Sequence, residues 1–368
     1  MSNLIDYVKW RGDLSFFSNS FNDIDALILC QIAYLNFDGI ISSELKKAVT
    51  LSDLWTAFKS DSDFERRSDL GMLINKDTVS LFEQAACSHR FSGVRIAGYV
   101  NKIDVKSDEQ FSACTYFIEK SNKNPFVVFR GTDDTIVGWK EDFNMAFSDK
   151  IPAQIDSVSY AETVLKEVHG KISIAGHSKG GNLAVYSACF MKPGYKKRID
   201  RIYNFDGPGF SSGIINTKEY KNILPFVHSW FPEHSIVGML FEYRGKYTVV
   251  KSDKTGVWQH DPLSWNLVNS RFITVPELSS NSIYFNKTFN NWIASLSPEK
   301  LKKVIDSLFE IIGATGASTN SELEADFFGN SKIILKAIHN IDRSVRVEVL
   351  EMIKLLFSSV LDIGLFQK

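Results

Sequence analysis

At 368 residues, with 44 % hydrophobic and 23 % charged side chains and a net charge of −1 at neutral pH, the chain can fill one large α/β domain with additions or two smaller domains. That balance argues against disorder and against a partner held by a strongly basic field, whether nucleic acid or an anionic membrane; small neutral substrates fit better. The four cysteines, Cys30, Cys87, Cys114 and Cys189, are too scattered for a zinc site or a disulfide framework and read as buried thiols.

Asp6, Lys9, Arg11 and Asp13 interrupt the first residues, so they lack the apolar core of a secretion signal. The apolar C-terminus is broken by Glu351, Lys354 and Asp362, short of the roughly 18 residues of a membrane span. A cytoplasmic protein without integral membrane association is expected. Residues 1–95 read as mostly helical, with Ile24, Leu27, Ile28, Ile32 and Leu35 at helical spacing behind a cap at Asn22 or Asp23. From residue 96 short apolar strands alternate with helical stretches, as in a sheet wound by crossover helices. Strands are expected at 111–118, 126–129, 171–175, 201–205 and 247–250, with helices over 136–147, 153–168 and 179–190. Beyond residue 297 two amphipathic stripes appear. The first is Leu301, Val304, Ile305, Leu308 and Ile312; the second is Val349, Leu350, Ile353, Leu356, Phe357, Val360 and Leu361. Residues 1–95 are therefore expected as a helical region packed on a core at 96–275, and residues 276–368 as a helical region that packs on the core, caps it or forms an interface.

The chemistry centres on Gly176-His177-Ser178-Lys179-Gly180, between an apolar strand and a helix-forming run. In this pattern a serine stands on a tight strand-to-helix turn, and the small residues on either side let the turn approach its neighbours without a Cβ collision. The amide of Lys179, at the start of the following helix, faces an oxyanion forming at a substrate carbonyl. A phosphate loop is excluded, because Gly-x-x-x-x-Gly-Lys-Ser/Thr is missing. A serine hydroxyl needs a histidine base and a carboxylate to orient it. In an α/β-hydrolase fold the order serine, acid, histidine removes His89, His169 and His177, leaving His228, His234, His260 and His339. His260, in a loop after the strand at 247–250, is preferred by position.

Phe129-Arg130-Gly131-Thr132 with Trp139 and Asp142 resembles the corresponding strand end of class 3 lipases. That resemblance implies that Thr132 supplies the second oxyanion donor; the alternative, or an addition to it, is an ion pair between Arg130 and Asp142. The longer strings Gly138-Trp139-Lys140-Glu141-Asp142-Phe143, Asn204-Phe205-Asp206-Gly207-Pro208-Gly209-Phe210, Ser235-Ile236-Val237-Gly238-Met239-Leu240 and Gln259-His260-Asp261-Pro262 resemble the bacterial Mbeg-like α/β-hydrolases, from the N-terminus to about residue 270. This implies an α/β-hydrolase fold, a mostly parallel sheet wound by helices, and a hydrolytic activity, but no substrate.

The acid is less determined. Class 3 lipases carry an aspartate where this chain has Ser235, so Asp206 is nominated, in a position similar to the aspartate of pancreatic-type lipases; Asp253 and Glu233 are held in reserve. Asp261 is set aside because adjacent side chains seldom face each other. The expected activity is lipase- or esterase-like cleavage of an acyl ester or lipid-like substrate through Ser178, His260 and Asp206, with the amides of Thr132 and Lys179 as oxyanion donors and neither metal nor cofactor. Thioesterase or acyltransferase chemistry on the same residues, and a non-catalytic binding protein of the same fold, are the alternatives.

Overall fold

The structure, a computed structural model, describes residues 2–71, 74–118, 123–148 and 150–360, without the side chains of residues 327, 328 and 356–360. Its centre is a nine-stranded sheet. Strands β1 (Val49–Thr50), β2 (Arg95–Asp104) and β3 (Glu109–Phe117) pair antiparallel, and β3 is likewise antiparallel to β4. From there β4 (Phe126–Phe129), β5 (Ile172–His177), β6 (Ile199–Phe205), β7 (Val227–Pro232) and β8 (Tyr247–Val250) run parallel. The short β9 (Leu267–Val268) and β10 (Arg271–Phe272) make a separate ribbon, and β11 (Thr274–Val275) closes the sheet antiparallel to β8.

Strands β4 to β8 lie side by side in the order in which they occur along the chain. Right-handed crossovers repeated in one direction place every connecting helix on the same face. Accordingly Ala161 and Val164 of the helix Pro152–Glu167, Leu183 and Val185 of Lys179–Phe190 and Tyr220 of Lys218–Ile223 share one core with Val127, Phe129, Ile172, Ile174 and Ile202. The alternate side chains, Phe126, Val128, Ala175, Tyr203, Phe205 and Trp230, point to the other face. Helices from the first quarter of the chain close it, through Leu27 and Ile28 of Asp23–Ile32, Leu54 and Phe58 of Leu51–Lys59 and Phe82 of Asp77–Cys87. Both faces are thus buried, as parallel strands require. This is the α/β-hydrolase arrangement that the sequence leads one to expect.

Local signals set the helix ends. Asn22 caps Asp23–Ile32 and forms a reciprocal pair with Asp25. The helix expected over 136–147 ends at Asn144. Four strands of the sheet were not expected: the edge strands β1 and β11 are only two residues long, β2 ends in the polar Asn101-Lys102-Ile103-Asp104, and β7 sets His228 and Ser229 between its apolar residues. The helix Ser280–Ala294 falls in the region expected to be helical but was not singled out, because polar asparagines and serines blur its stripe. Cys87 corrects the reading of four buried thiols, since it is exposed at the last turn of its helix while the other three are buried.

The C-terminal stripes form the helices Pro298–Gly313 and Arg343–Val360, whose Leu301, Val304, Ile305, Leu308, Val349 and Met352 make a small core of their own with Trp139 and Phe143. Leu361 lies outside the described residues. The loop after the first of these helices docks on residues 134–136, with the Ile136 amide donating to Ser318 (3.0 Å) and the Asn320 amide to Asp134 (2.9 Å). The helix Arg343–Val360 packs against the turn Gly256–His260. Among the described residues, no helix is long and apolar enough to cross a membrane.

Candidate active site

Strand β5 runs directly into the helix Lys179–Phe190, with Ser178 between them at φ 59° and ψ −136°. A positive φ at a residue with a side chain is strained and persists only where the surroundings fix it. Here the Ser178 amide donates to Phe205 on β6 (2.9 Å), which ties the turn to the sheet. The turn is also closed sterically. A Cβ at Gly176 would lie 2.1 Å from the backbone of Gly180, and one at Gly180 would lie 2.1 Å from the carbonyl oxygen of Phe129. Ser178 itself remains half-buried.

Asp206 is the first residue past β6, fully buried, with φ 50° and its amide bonded to Trp230 on β7 (2.9 Å). Its Oδ2 lies 2.6 Å from Nδ1 of His260, which ends the turn Gly256–His260 and is partly exposed. The other carboxylate oxygen accepts the hydroxyl of Ser235 at 2.5 Å. The residue that replaces the class 3 lipase acid therefore holds Asp206 in place. Gly238 leaves room for that bond, since a Cβ there would sit 2.4 Å from Asp206 Oδ1.

Beyond β4, the Thr132 hydroxyl donates to Asp142 Oδ2 at 2.5 Å. Arg130 does not pair with Asp142, contrary to the ion pair considered above. Its guanidinium turns instead to Asp133 (2.9 Å) and Asn101 (3.0 Å). Desolvation pushes the Asp142 carboxyl up to about 6, with Lys179 and the Thr132 hydroxyl pulling the other way. Oδ1 of Asp142 is buried with no hydrogen-bond partner among the described residues, 3.8 Å from Lys179 Nζ, yet 30 % of the side chain reaches solvent. Solvent tempers the rise. A carboxyl with a raised folded pKa binds its proton more tightly in the folded state, so stability should fall as pH rises from about 4 to about 6. Chemical denaturation across that window is expected to show the slope, and Asp142→Asn to flatten it.

Lys179 contributes no exposed charge. Its ammonium is buried, bonded to Glu141 Oε2 (2.9 Å) and to both the carbonyl (2.8 Å) and the side-chain oxygen (2.7 Å) of Gln110. The ion pair fastens the start of the serine-bearing helix to the helix Ile136–Asn144 and to β3. Removing one member leaves the other buried and uncompensated, so Lys179→Met should destabilise the protein by about 3–5 kcal/mol. Urea unfolding measures this, and a loss under about 1 kcal/mol would contradict a buried, intact pair.

The remaining candidates lie elsewhere. His228 is on β7, beside the Trp230 ring, and burial lowers its pKa. The His234 amide donates to Gln259 Oε1 (2.8 Å). Glu233 joins β8 through its amide to Val250 (3.0 Å), and Asp253 is exposed on the surface. Asp261 braces the loop that follows His260, accepting Asn75 (2.8 Å) and Lys254 (2.8 Å) and capping the Leu263 amide (3.0 Å). Sequence reasoning did not find Ser235 as a partner of Asp206, nor the contacts of Glu141 and Gln110 with Lys179. Only their spacing in three dimensions reveals them.

The family model described as Mbeg1-like matches residues 85–310. The match begins later and ends later than the span from the N-terminus to about residue 270 over which the sequence motifs were read. Among solved structures, the M37 lipase is similar at 16 % identity, covering 60 % of this chain and 70 % of its own, with a TM-score of 0.37. The Rhizomucor miehei lipase in its propeptide complex is similar at 16 % identity over 54 % of this chain and 66 % of its own, with a TM-score of 0.33. No curated protein matches the chain.

Proposed function

Because the chain belongs to the Mbeg1-like family, whose model spans more than half of it, we propose that it is a serine hydrolase that cleaves a carboxylic ester, lipase- or esterase-like, through an acyl-enzyme on Ser178. In this reading Ser178 stands on a nucleophile elbow and attacks the carbonyl, and His260 takes its proton. Asp206 holds the imidazole with Nδ1 protonated and stabilises the imidazolium that forms. The amides of Thr132 and Lys179 receive the oxyanion, the second from a helix N-terminus whose first amides have no intrahelical partner. His260 then returns the proton to the leaving alcohol, and a water activated by the same ring releases the acid.

The observation that carries this reading is the buried Asp206–His260 pair at 2.6 Å. It joins residues 54 apart in sequence, beyond the strand next to the one that ends in the Ser178 turn. A charged group with zero exposure is costly unless it is paired and hydrogen-bonded, and both oxygens of Asp206 are. Ser235, which stands where class 3 lipases carry an aspartate, supports this reading over a non-catalytic binding protein by donating its hydroxyl to Asp206. The test is labelling of the folded protein with a fluorophosphonate probe. Labelling confined to Ser178 and lost in Ser178→Ala is expected, and an unreactive folded wild type would sink the proposal. Oxygen esters against thioesters and alcohol acceptors, in a panel of graded chain length, separates ester hydrolysis from thioesterase or acyltransferase chemistry.

A further inference from the structure

His177 has no proton-transfer role in that mechanism, yet it is 3 % exposed and desolvation pushes its pKa well below the ordinary histidine range. It is therefore neutral at neutral pH, with one donor nitrogen and one acceptor. Its two partners decide which is which. Nε2 lies 2.9 Å from the backbone carbonyl oxygen of His260, which can only accept, so Nε2 carries the hydrogen. Nδ1 is then the acceptor, and the Tyr34 hydroxyl at 2.9 Å donates to it. The two imidazoles also lie against each other, with centroids 4.5 Å apart at 32°.

Tyr34 follows the helix Asp23–Ile32 and is itself buried. The chain at Gly131 passes close to the same phenolic oxygen: a Cβ at Gly131 would lie 2.2 Å from it and 2.9 Å from the Cβ of Ser178. One hydroxyl thus meets the loop that leads to Thr132 and, through one neutral ring, the backbone of His260. Asp206 grips His260 only at Nδ1, and a ring held at one atom can pivot about that bond. A fixed carbonyl on the same residue supplies the second point.

We propose that Tyr34 and His177 are positioning residues that set the His260 ring and the loop at Gly131 relative to Ser178. The catalytic consequence rests on the hydrolase reading; the positioning itself does not. A misplacement of about 1 Å at a reacting group costs on the order of 10²-fold in rate.

The experiment combines imidazole NMR of the full chain carrying isotope-labelled histidine with fluorophosphonate labelling of the same samples. Wild type is expected to show a sharp low-field Nδ1–H resonance for His260. In His177→Phe, which offers no donor to the carbonyl, that resonance should broaden and labelling should slow about 10²-fold. His177→Gln, whose amide can donate from nearly the same place, should restore the sharp resonance and bring labelling back to within about tenfold of wild type. A merely space-filling role predicts no such rescue. Tyr34→Phe removes a single hydroxyl, leaves Nδ1 of His177 without its donor so that the ring is held at one end only, and covers the case in which His177→Phe fails to fold; the same resonance should broaden. A sharp, unshifted His260 resonance in folded His177→Phe or Tyr34→Phe overturns the proposal. If wild-type Ser178 does not react while the His260 resonance still responds to these variants, the hydrolase reading falls and the positioning role stands.

Discussion

Ser178→Ala is expected to lower kcat for a nitrophenyl acyl ester by about 10⁴–10⁶-fold, with KM changed no more than a few-fold. The substitution deletes the only atom that forms the acyl bond, while the amides proposed to hold the oxyanion belong to the backbone and remain. Residual turnover above the uncatalysed rate should therefore persist at about 10³-fold. The turn should survive too, since Gly176 and Gly180 and the Ser178 amide's bond to Phe205 hold it rather than the hydroxyl. Steady-state kinetics together with a thermal melt checks both halves. Retention of more than about a tenth of wild-type kcat would place the chemistry elsewhere.

The second large effect is expected at Asp206. Asp206→Asn keeps the shape of the side chain but replaces a doubly accepting carboxylate with a group that donates from one side. The Ser235 hydroxyl can donate to or accept from the amide, so either end can face Nδ1 of His260; in both arrangements the charge that stabilises the imidazolium is lost, and with the nitrogen facing the ring the tautomer that presents an acceptor to Ser178 is disfavoured. A fall in kcat of about 10⁴-fold is expected, again with little change in KM. Glu233→Gln and Asp253→Asn serve as controls and should stay near wild type. A kcat for Asp206→Asn within tenfold of wild type, or a deeper loss at either control, would remove Asp206 from the acid role.

How much of this was legible beforehand depended on whether a signal was local. The β5-to-helix segment was readable because apolar strand residues, two glycines and a helix-forming run are all contiguous. The C-terminal stripes were readable because their period is long and regular. The polar end of β2 and the mixed β7 carry no such period, and their strand character comes from the neighbours they pair with. At the site, Asp206 and His260 were named from strand exits and chain order. Nothing in either string says that Oδ2 meets Nδ1. Ser235 drew attention as a departure from a family pattern, and only the coordinates turn that departure into a hydrogen bond. The buried ammonium of Lys179 and the tautomer of His177 depend on partners 38 to 143 residues away. No pattern within a single segment encodes those distances.

The one-directional order of β4 to β8 has a further cost for the protein. With all crossover helices on one side, the rings of Tyr203, Phe205 and Trp230 on the other are sheltered by the helices of the first 87 residues, with Trp265 and Phe272 covering only the edge of that face. A polypeptide starting at residue 85, where the family match begins, would retain Ser178, Asp206 and His260 and yet turn an apolar face of roughly a few hundred Å² towards water. Soluble monomers seldom tolerate a patch of that size. The N-terminal helices are what keep the rest of the chain from sticking to itself.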